Sequence, residues 1–361
     1  MSSTWSRPCG RGAAVVLALA GVALLWLVAA PRFGAFGAEP SPVLFEYTTS
    51  TGREMTGLTV DMREYLHATE YYAGTGDAPT IAPFSNRVAV PFVAGLLPWD
   101  APVSLNLVVL AALSIGLVAL VAAWRRLGLA LGPMVVGTLG FSVAFPVFYW
   151  GSFNYVDGAV VGLLAVLLAA LVFEQPVVAI VVLLAAVFTK EAGLVGLPVI
   201  VVWSFLGATS RATKWALSAG AAVASVAGLV LAQVLAPRAT EFYNPWLPTL
   251  SDMHDYFGNN VGRPGPMGQV VLTAVVPAAL TLFAWNRRRN GLIDLDPRLF
   301  WTLSVGVVAG VLLNIQALLT AQWDGRTLWT IYPFALTLGA AALTRRAQRP
   351  ADEPSTLDAA S

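Results

Sequence analysis

Ten long apolar runs are the feature that most constrains how this chain folds. None has an ionisable residue near its middle, and the longer runs approach the ~20 residues that a helix needs to cross a ~30 Å hydrocarbon core. Hydrophobic residues make up 57% of the 361 residues and charged residues only 11%, whereas a soluble domain carries roughly 25% charged residues. We predict an all-α, polytopic membrane bundle of about ten transmembrane helices, at 13–30, 102–124, 131–150, 159–173, 177–188, 192–207, 215–235, 269–285, 299–319 and 327–343.

These spans place residues 1–345 in a single integral membrane domain. The first apolar run, 13–30, has 18 residues. Because the apolar core of a signal peptide is usually shorter, we expect a retained anchor. Two connecting segments are long, 31–100 and 236–268, and we place both outside the cytoplasm. Residues 346–361 contain Pro, Asp, Glu and Ser and no apolar run, which predicts a disordered cytoplasmic tail.

The distribution of charge orients the predicted bundle. With the N-terminus inside, the cytoplasmic segments hold 13 of the 21 basic residues and 6 of the 20 acidic ones, and the outer segments hold 8 and 14. An excess of Lys and Arg in short cytoplasmic loops is the signal that sets membrane topology. We therefore predict a multi-pass protein of the plasma membrane, the cell's inner membrane, with both termini in the cytoplasm.

Composition also excludes several classes of function. The single cysteine, Cys9, cannot form an intramolecular disulfide, and the two histidines have no zinc-site spacing. The sequence lacks a Walker-type phosphate-binding loop and a basic stripe interleaved with aromatic residues, so neither ATP hydrolysis nor nucleic-acid binding is expected. Ion-coupled transporters usually need titratable groups at mid-membrane, and the predicted spans have none.

The stretch VFTKEAGLVGLP, residues 187–198, places Lys190 and Glu191 between two apolar runs. The run before them, 177–188, makes only about 18 Å of helix, which is too short to cross a ~30 Å core. We therefore expect both charges to lie below the outer surface, against protein or in a wet cavity, where charge usually marks a pathway or a site. The alternative is a tight hairpin in which Lys190 and Glu191 satisfy each other.

A helix is predicted at 57–72, within the first long connecting segment. On its helical wheel one arc of about 120° is apolar, formed by Leu58, Met62, Tyr65, Leu66 and Tyr72, and the opposite side carries Arg63, Glu64, His67 and Glu70. Asp61 falls inside the apolar arc. A carboxylate turned toward the bundle needs a partner, a substrate or a raised pKa. The alternative is that Asp61 caps the start of the helix after Thr59.

Three more charged residues lie in segments that we place on the same outer side. Arg87 lies in a short apolar segment broken by Pro91, and its guanidinium suits an anion such as phosphate; snorkelling to the head-group region is the alternative. Asp157 follows Asn154 and Tyr155 at the mouth of the fourth span, and Arg326 follows Asp324 at the start of the tenth.

A divalent cation is the one cofactor that the sequence leaves open. Asp252, His254 and Asp255 offer two carboxylates and an imidazole within four positions, a set that can ligate such an ion. A solvated loop explains the same three residues more simply, so we assign no metal ligand.

The order of these motifs resembles the bacterial C-type (GT-C) integral-membrane glycosyltransferase superfamily, enzymes that use polyprenyl-phosphate-linked sugars. The resemblance covers residues 13 to about 345. It is carried by Asp61 with the aromatic residues after it, NRVAVP with Arg87, YVDG with Asp157, FTKEAGLVGLP with Lys190 and Glu191, and DGRTLWTIYP with Asp324 and Arg326.

The resemblance implies an inverting sugar transfer on the extracytoplasmic face, to a cell-envelope glycan or lipid acceptor. It implies that Asp61 is the general base and that Arg87, Lys190 and Arg326 stabilise the leaving polyprenyl phosphate. Asp157 and Glu191 would hold these cations or contact sugar hydroxyls. Because members of the family differ in their use of a divalent metal, the resemblance does not decide that requirement.

Two other functions fit the same sequence. A lipid or glycan flippase would use the outer cavity without transfer chemistry, and would tolerate Asp61→Asn. A non-catalytic accessory subunit of envelope assembly would tolerate changes at all of the outer charges. Membrane lipids surround the protein in each case.

Overall fold

The structure of the chain is a computed structural model that describes residues 8–32, 45–48, 54–57, 60–79, 81–151, 154–207, 210–242, 248–293, 295–321 and 323–344. The described chain is all-helical apart from four short strands. The predicted tail, 346–361, lies outside the described residues.

Each of the ten predicted apolar runs contains helix. The helices are α1 (Arg11–Ala29), α2 (Val60–Tyr72), α3 (Ala89–Gly95), α4 (Ala101–Arg126), α5 (Leu131–Ser142), α6 (Phe145–Trp150), α7 (Asp157–Val172), α8 (Pro176–Thr189), α9 (Gly196–Leu206), α10 (Arg211–Leu235), α11 (Leu250–Val261), α12 (Pro264–Arg289), α13 (Pro297–Thr320) and α14 (Tyr332–Leu343). Short 3₁₀ turns precede α9, at Glu191–Val195, and α14, at Arg326–Ile331.

Within the described residues, six helical segments are long and apolar enough to cross a membrane: Arg11–Ala29, Ala101–Arg126, Leu131–Trp150, Arg211–Leu235, Pro264–Arg289 and Pro297–Thr320. The three runs between 157 and 206 form shorter apolar helices. The structure therefore supports a membrane-embedded helical bundle, and helix length alone identifies six spans rather than ten.

The predicted span 131–150 is interrupted where α5 ends at Ser142 and α6 begins at Phe145. Pro146 occupies the first turn of α6, where its missing N–H costs no helical hydrogen bond. The same proline cannot continue α5, so the chain restarts the helix instead of extending it.

Helix α7 lies at the centre of the bundle, buried along nearly its whole length and packed against α4 and α8. Glycines allow the close approach of α4: a Cβ on Gly162 would lie 2.2 Å from the carbonyl oxygen of Ala112. Small residues are the usual means by which membrane helices bring their backbones together. Because α7 begins at Asp157, this packing fixes a carboxylate at one end of the core.

Helices α8 and α9 are joined by a tight turn. Lys190 is extended, with φ −166° and ψ 145°, and the 3₁₀ turn from Glu191 follows at once. Gly193 lies against the end of α8, where a Cβ would come within 2.4 Å of the carbonyl carbon of Ala186. The turn thus folds back on α8 and presents Lys190 and Glu191 at its tip.

The first long connecting segment is structured in its described parts. Strand β1 (Phe45–Thr48) pairs antiparallel with β2 (Glu54–Gly57), and α2 follows, within the range predicted for a helix. Strand β3 (Ile81–Ala82) pairs in parallel with β4 (Glu241–Phe242), which ties the first long segment to the second. The sequence analysis did not predict these strands.

Candidate functional site

Helix α2 packs against α3 and α4 and brings Asp61 and Tyr65 into the bundle. Met62 and Tyr65 are buried, as the helical wheel predicts. Glu64 differs from its predicted position on the exposed side, because it is only 2% exposed. Its Oε1 lies 3.9 Å from Nδ1 of His67. The helical wheel places Glu64 opposite the apolar arc, whereas the packing of α2 buries it.

Asp61 has a partner in Arg326, from the segment that leads into α14. Nη1 of Arg326 donates to Oδ2 of Asp61 at 2.6 Å. Nε of Arg326 lies 2.6 Å from Oδ2 of Asp324, and the guanidinium carbon lies 4.3 Å from the ring centre of Tyr155. Asp61 also lies in the first turn of α2, where the helix dipole stabilises a negatively charged carboxylate.

Lys190 and Asp157 form a buried ion pair. Nζ of Lys190 donates to Oδ1 of Asp157 at 2.6 Å, and the two side chains are 7% and 5% exposed. The other oxygen, Oδ2, lies 4.0 Å from Nη1 of Arg326. Asp157 therefore connects the tip of the α8–α9 turn to the Asp61–Arg326 pair.

Arg87 pairs with Glu191, the other charge at that tip. Nε of Arg87 donates to Oε2 of Glu191 at 3.2 Å, Nη2 donates to Oε1, and Nη1 donates to the hydroxyl of Tyr65. The guanidinium carbon lies 5.3 Å from the ring centre of Phe84. Arg87 is thus buried and bonded on all three nitrogens, which excludes snorkelling outward in this structure.

All six residues predicted for the site lie together, because Asp61, Arg326, Asp157 and Lys190 form one series of contacts and the Arg87–Glu191 pair adjoins it where Glu191 follows Lys190 in the chain. Lys190 and Glu191 pair with Asp157 and Arg87, not with each other as the hairpin alternative holds. The roles of the residues as base or phosphate ligand stay predictions. The cluster members that the sequence analysis assigned are Asp61, Arg87, Asp157, Lys190, Glu191 and Arg326.

A cavity of about 390 Å³ opens onto this cluster. One wall comes from the 82–87 segment and the α8–α9 turn, and another from α13, between Leu313 and Thr320. The charged side chains on its lining are Asp61, Arg87, Lys190, Glu191, Asp324 and Arg326. Asp157 lies behind them and is not part of the lining.

Several polar groups on the cavity retain bonding capacity. Lys190 has three N–H donors and uses one, on Asp157. Within the described chain, Nη2 of Arg326 and Oδ1 of Asp61 bond to nothing, since their contacts run through Nη1, Nε and Oδ2. The cavity therefore offers donors for an anion and one carboxylate oxygen that can accept a proton.

The charges of the cluster nearly cancel. Three cations face four carboxylates, those of Asp61, Asp157, Glu191 and Asp324. Burial raises the pKa of Asp324 above its usual range, although Arg326 opposes this shift. Burial would lower the pKa of Arg326, but Asp324 and Asp61 outweigh it and hold that pKa above normal. Arg326 thus stays charged, while Asp324 gains a proton more readily than an ordinary aspartate.

Two asparagines hold the segment that carries Asp324 and Arg326, and the sequence analysis did not predict either role. Asn260, on α11, donates to the carbonyls of Leu318 and Ala321 at 2.9 and 2.8 Å and accepts from the backbone of Trp323 at 3.1 Å. Asn314, on α13, accepts from the indole of Trp323 at 2.9 Å and from the hydroxyl of Thr327 at 2.8 Å. The sequence offers a signal only for Asn314, whose polar amide lies inside the apolar run 299–319 and therefore needs hydrogen-bond partners.

The trio Asp252, His254 and Asp255 does not form a ligand set. Asp252 completes a capping box with Thr249 at the start of α11, which gives this carboxylate a structural role. No group of three or more His, Cys, Asp or Glu side chains that could hold a metal ion occurs in the described ranges.

The chain matches no known family, no curated protein and no solved structure.

Proposed function

We propose that this protein is an inverting glycosyltransferase of the plasma membrane, which moves a sugar from a polyprenyl-phosphate-linked donor to a cell-envelope acceptor. In this proposal the ten predicted apolar runs all cross the bilayer, both termini are cytoplasmic, and the cavity opens on the extracytoplasmic side. The excess of basic residues in the predicted inner segments supports that orientation.

The observation that carries the proposal is the arrangement around the cavity. Asp61, Lys190 and Arg326 line the same cavity of about 390 Å³, and each keeps a polar atom or an N–H donor that no other group of the described chain uses. A transfer of this class needs a base on one reactant and cations on the other. Among the described residues this cavity supplies both within one enclosure.

Asp61 acts as the general base. Its free oxygen takes the proton of the acceptor hydroxyl while the oxygen of that hydroxyl forms a bond to C1 of the sugar. The bond between C1 and the phosphate oxygen breaks, and its electron pair leaves with the polyprenyl phosphate. Attack from the face opposite the leaving group inverts the configuration at C1.

Lys190 and Arg326 stabilise the leaving group. The donor is a phosphodiester with one negative charge, and the released phosphate monoester carries a second, so cations at this position favour the transition state over the bound donor. Asp157 holds the ammonium of Lys190 at 2.6 Å and faces Arg326, and it thereby positions the cations without lining the cavity.

The test is a mass-spectrometric profile of envelope glycans and lipid-linked sugars in cells that lack the gene, with a membrane-impermeant label applied to intact cells to mark the lipid-linked sugars of the outer leaflet. A transferase predicts the loss of one glycosyl residue and accumulation of its lipid-linked donor on the outer leaflet. Accumulation of the donor on the inner leaflet would instead support a flippase. An unchanged profile of both pools would contradict the proposal.

A further inference from the structure

The ion pair between Arg87 and Glu191 differs from the others in the cluster in how unequally its partners are buried. The side chain of Arg87 is 9% exposed and that of Glu191 is 45% exposed. In the Lys190–Asp157 pair both side chains are below 8%, at 7% and 5%. Glu191 is therefore the most exposed carboxylate of the cluster, ahead of Asp324 at 22%.

This asymmetry decides which partner can leave. Arg87 is fixed by the hydroxyl of Tyr65 and lies against the ring of Phe84. Glu191 has Arg87 as its side-chain partner and lies on the cavity lining. A half-hydrated carboxylate regains water at little cost when it rotates away, whereas a buried charge that loses its partner is strongly destabilised.

The geometry of the contact is that of a phosphate site. Glu191 uses both oxygens to bind the Nε–Nη2 edge of the guanidinium, and the same edge binds two oxygens of a phosphate in the same bidentate way. Replacing Glu191 by a phosphate at this edge would also change the charge balance of the cavity. With Glu191 withdrawn, three cations face three carboxylates instead of four, so the cavity no longer repels an anion.

We propose that Glu191 occupies the Nε–Nη2 edge of Arg87 when no ligand is bound. The phosphate of the ligand then displaces the Glu191 carboxylate and accepts both of these hydrogen bonds. Arg87 is then a third phosphate ligand, beside Lys190 and Arg326, that becomes available through this exchange. The inference rests on the proposed function, because it assumes that a prenyl phosphate enters the cavity.

The experiment measures binding of geranyl phosphate, a short and water-soluble prenyl phosphate, to the full-length chain in detergent. Fluorescence of Trp323, which lines the cavity, contributes to the signal. Glu191→Gln removes the competing charge and is expected to bind about tenfold more tightly than wild type. Glu191→Asp keeps the charge but is one methylene too short to hold the Nε–Nη2 edge, and it is also expected to bind more tightly.

The paired variants separate exchange from a general effect of charge. Tighter binding by Glu191→Gln without any gain in Glu191→Asp would mean that net charge alone matters, and would overturn the exchange. The double variant Arg87→Gln/Glu191→Gln replaces both members by amides and is expected to lose the gain. If it binds as tightly as Glu191→Gln, phosphate does not bind at Arg87 and the inference is wrong.

The same measurements distinguish this inference from the proposed function. If wild type binds geranyl phosphate and both Glu191 variants bind equally well or less tightly, the exchange fails while a prenyl-phosphate site stands. If no variant binds the probe, although all of them keep the thermal midpoint of wild type, the proposed function fails together with the exchange.

Discussion

Asp61 and Arg326 are separated by 265 positions in the chain, yet Nη1 of Arg326 donates to Oδ2 of Asp61 at 2.6 Å. This contact joins α2, in the first long connecting segment, to the segment that leads into α14. The connecting segment therefore forms part of the wall of the cavity and brings Asp61, the residue that we propose as the base, to it.

The buried pair of Lys190 and Asp157 predicts a large loss of stability when one partner is removed. Asp157→Asn leaves the ammonium of Lys190 buried without its carboxylate, which typically costs about 3–5 kcal/mol. Unfolding of the purified protein in mixed micelles measures this change. The double variant Asp157→Asn/Lys190→Met is expected to lose less than the sum of the two single changes; strict additivity would show that the pair contributes no coupling.

The contact between α4 and α7 predicts that Gly162 cannot be enlarged. A Cβ there would lie 2.2 Å from the carbonyl oxygen of Ala112, so Gly162→Ala must push the two helices apart, at a cost of about 1–3 kcal/mol. Gly258→Ala is the matched control, because a Cβ at that helical position meets no atom within 4 Å. Equal unfolding free energies for the two variants would contradict the observed packing.

Asn260 predicts a coupling between α11 and the site. Asn260→Ala removes three hydrogen bonds that hold the chain just before Asp324 and is expected to lower the unfolding free energy by about 1–3 kcal/mol. The sugar transfer that we propose should fall as well, because Arg326 loses its fixed position. Asn259→Ala, which changes an exposed neighbour, should leave both quantities at their wild-type values; similar losses in the two variants would exclude a specific role for Asn260.

His67 predicts a pH dependence of stability. Burial, aided by Arg63, lowers the pKa of His67 below its ordinary value of 6.5. As the pH falls below 6.5, the unfolded chain takes up the proton before the folded chain does, so His67 makes the folded state lose stability in that window. The thermal midpoint of wild type should therefore fall more steeply between pH 7.5 and 5 than that of His67→Gln. Parallel curves would contradict the prediction.

The sequence predicts the helices of this fold well, because an apolar run has little choice but to form helix in a membrane. It does not predict the two-residue pairing of Ile81–Ala82 with Glu241–Phe242, since so short a ladder has no periodicity of its own. Pro146 is a sequence signal for the restart of the helix at Phe145. A prediction of spans from hydrophobicity alone ignores this proline and gives one continuous helix at 131–150.

The same limits apply to the site. Burying a charged side chain in an apolar fold costs free energy, so the sequence identifies Lys190, Glu191 and Asp61 as residues that need partners. Which partner each one finds depends on packing between elements up to 265 positions apart, and no local pattern encodes that. Glu64 shows a second limit: its angle on the helical wheel predicts an exposed side chain, whereas the side chain is buried because α2 packs on more than its apolar arc.

The central claim, that Asp61 takes the acceptor's proton, is tested most directly by Asp61→Asn in cells that lack the native gene. Asparagine keeps the shape of the side chain and can still accept from Arg326, but it is not a base, so transfer should fall by about 10²-fold or more. The readout is the envelope glycan and the lipid-linked donor by mass spectrometry, at matched protein levels, with Glu70→Gln on the same helix as control. The account predicts that Glu70→Gln restores the glycan and that Asp61→Asn leaves it missing with the donor accumulated. Full restoration of the glycan by Asp61→Asn would contradict it.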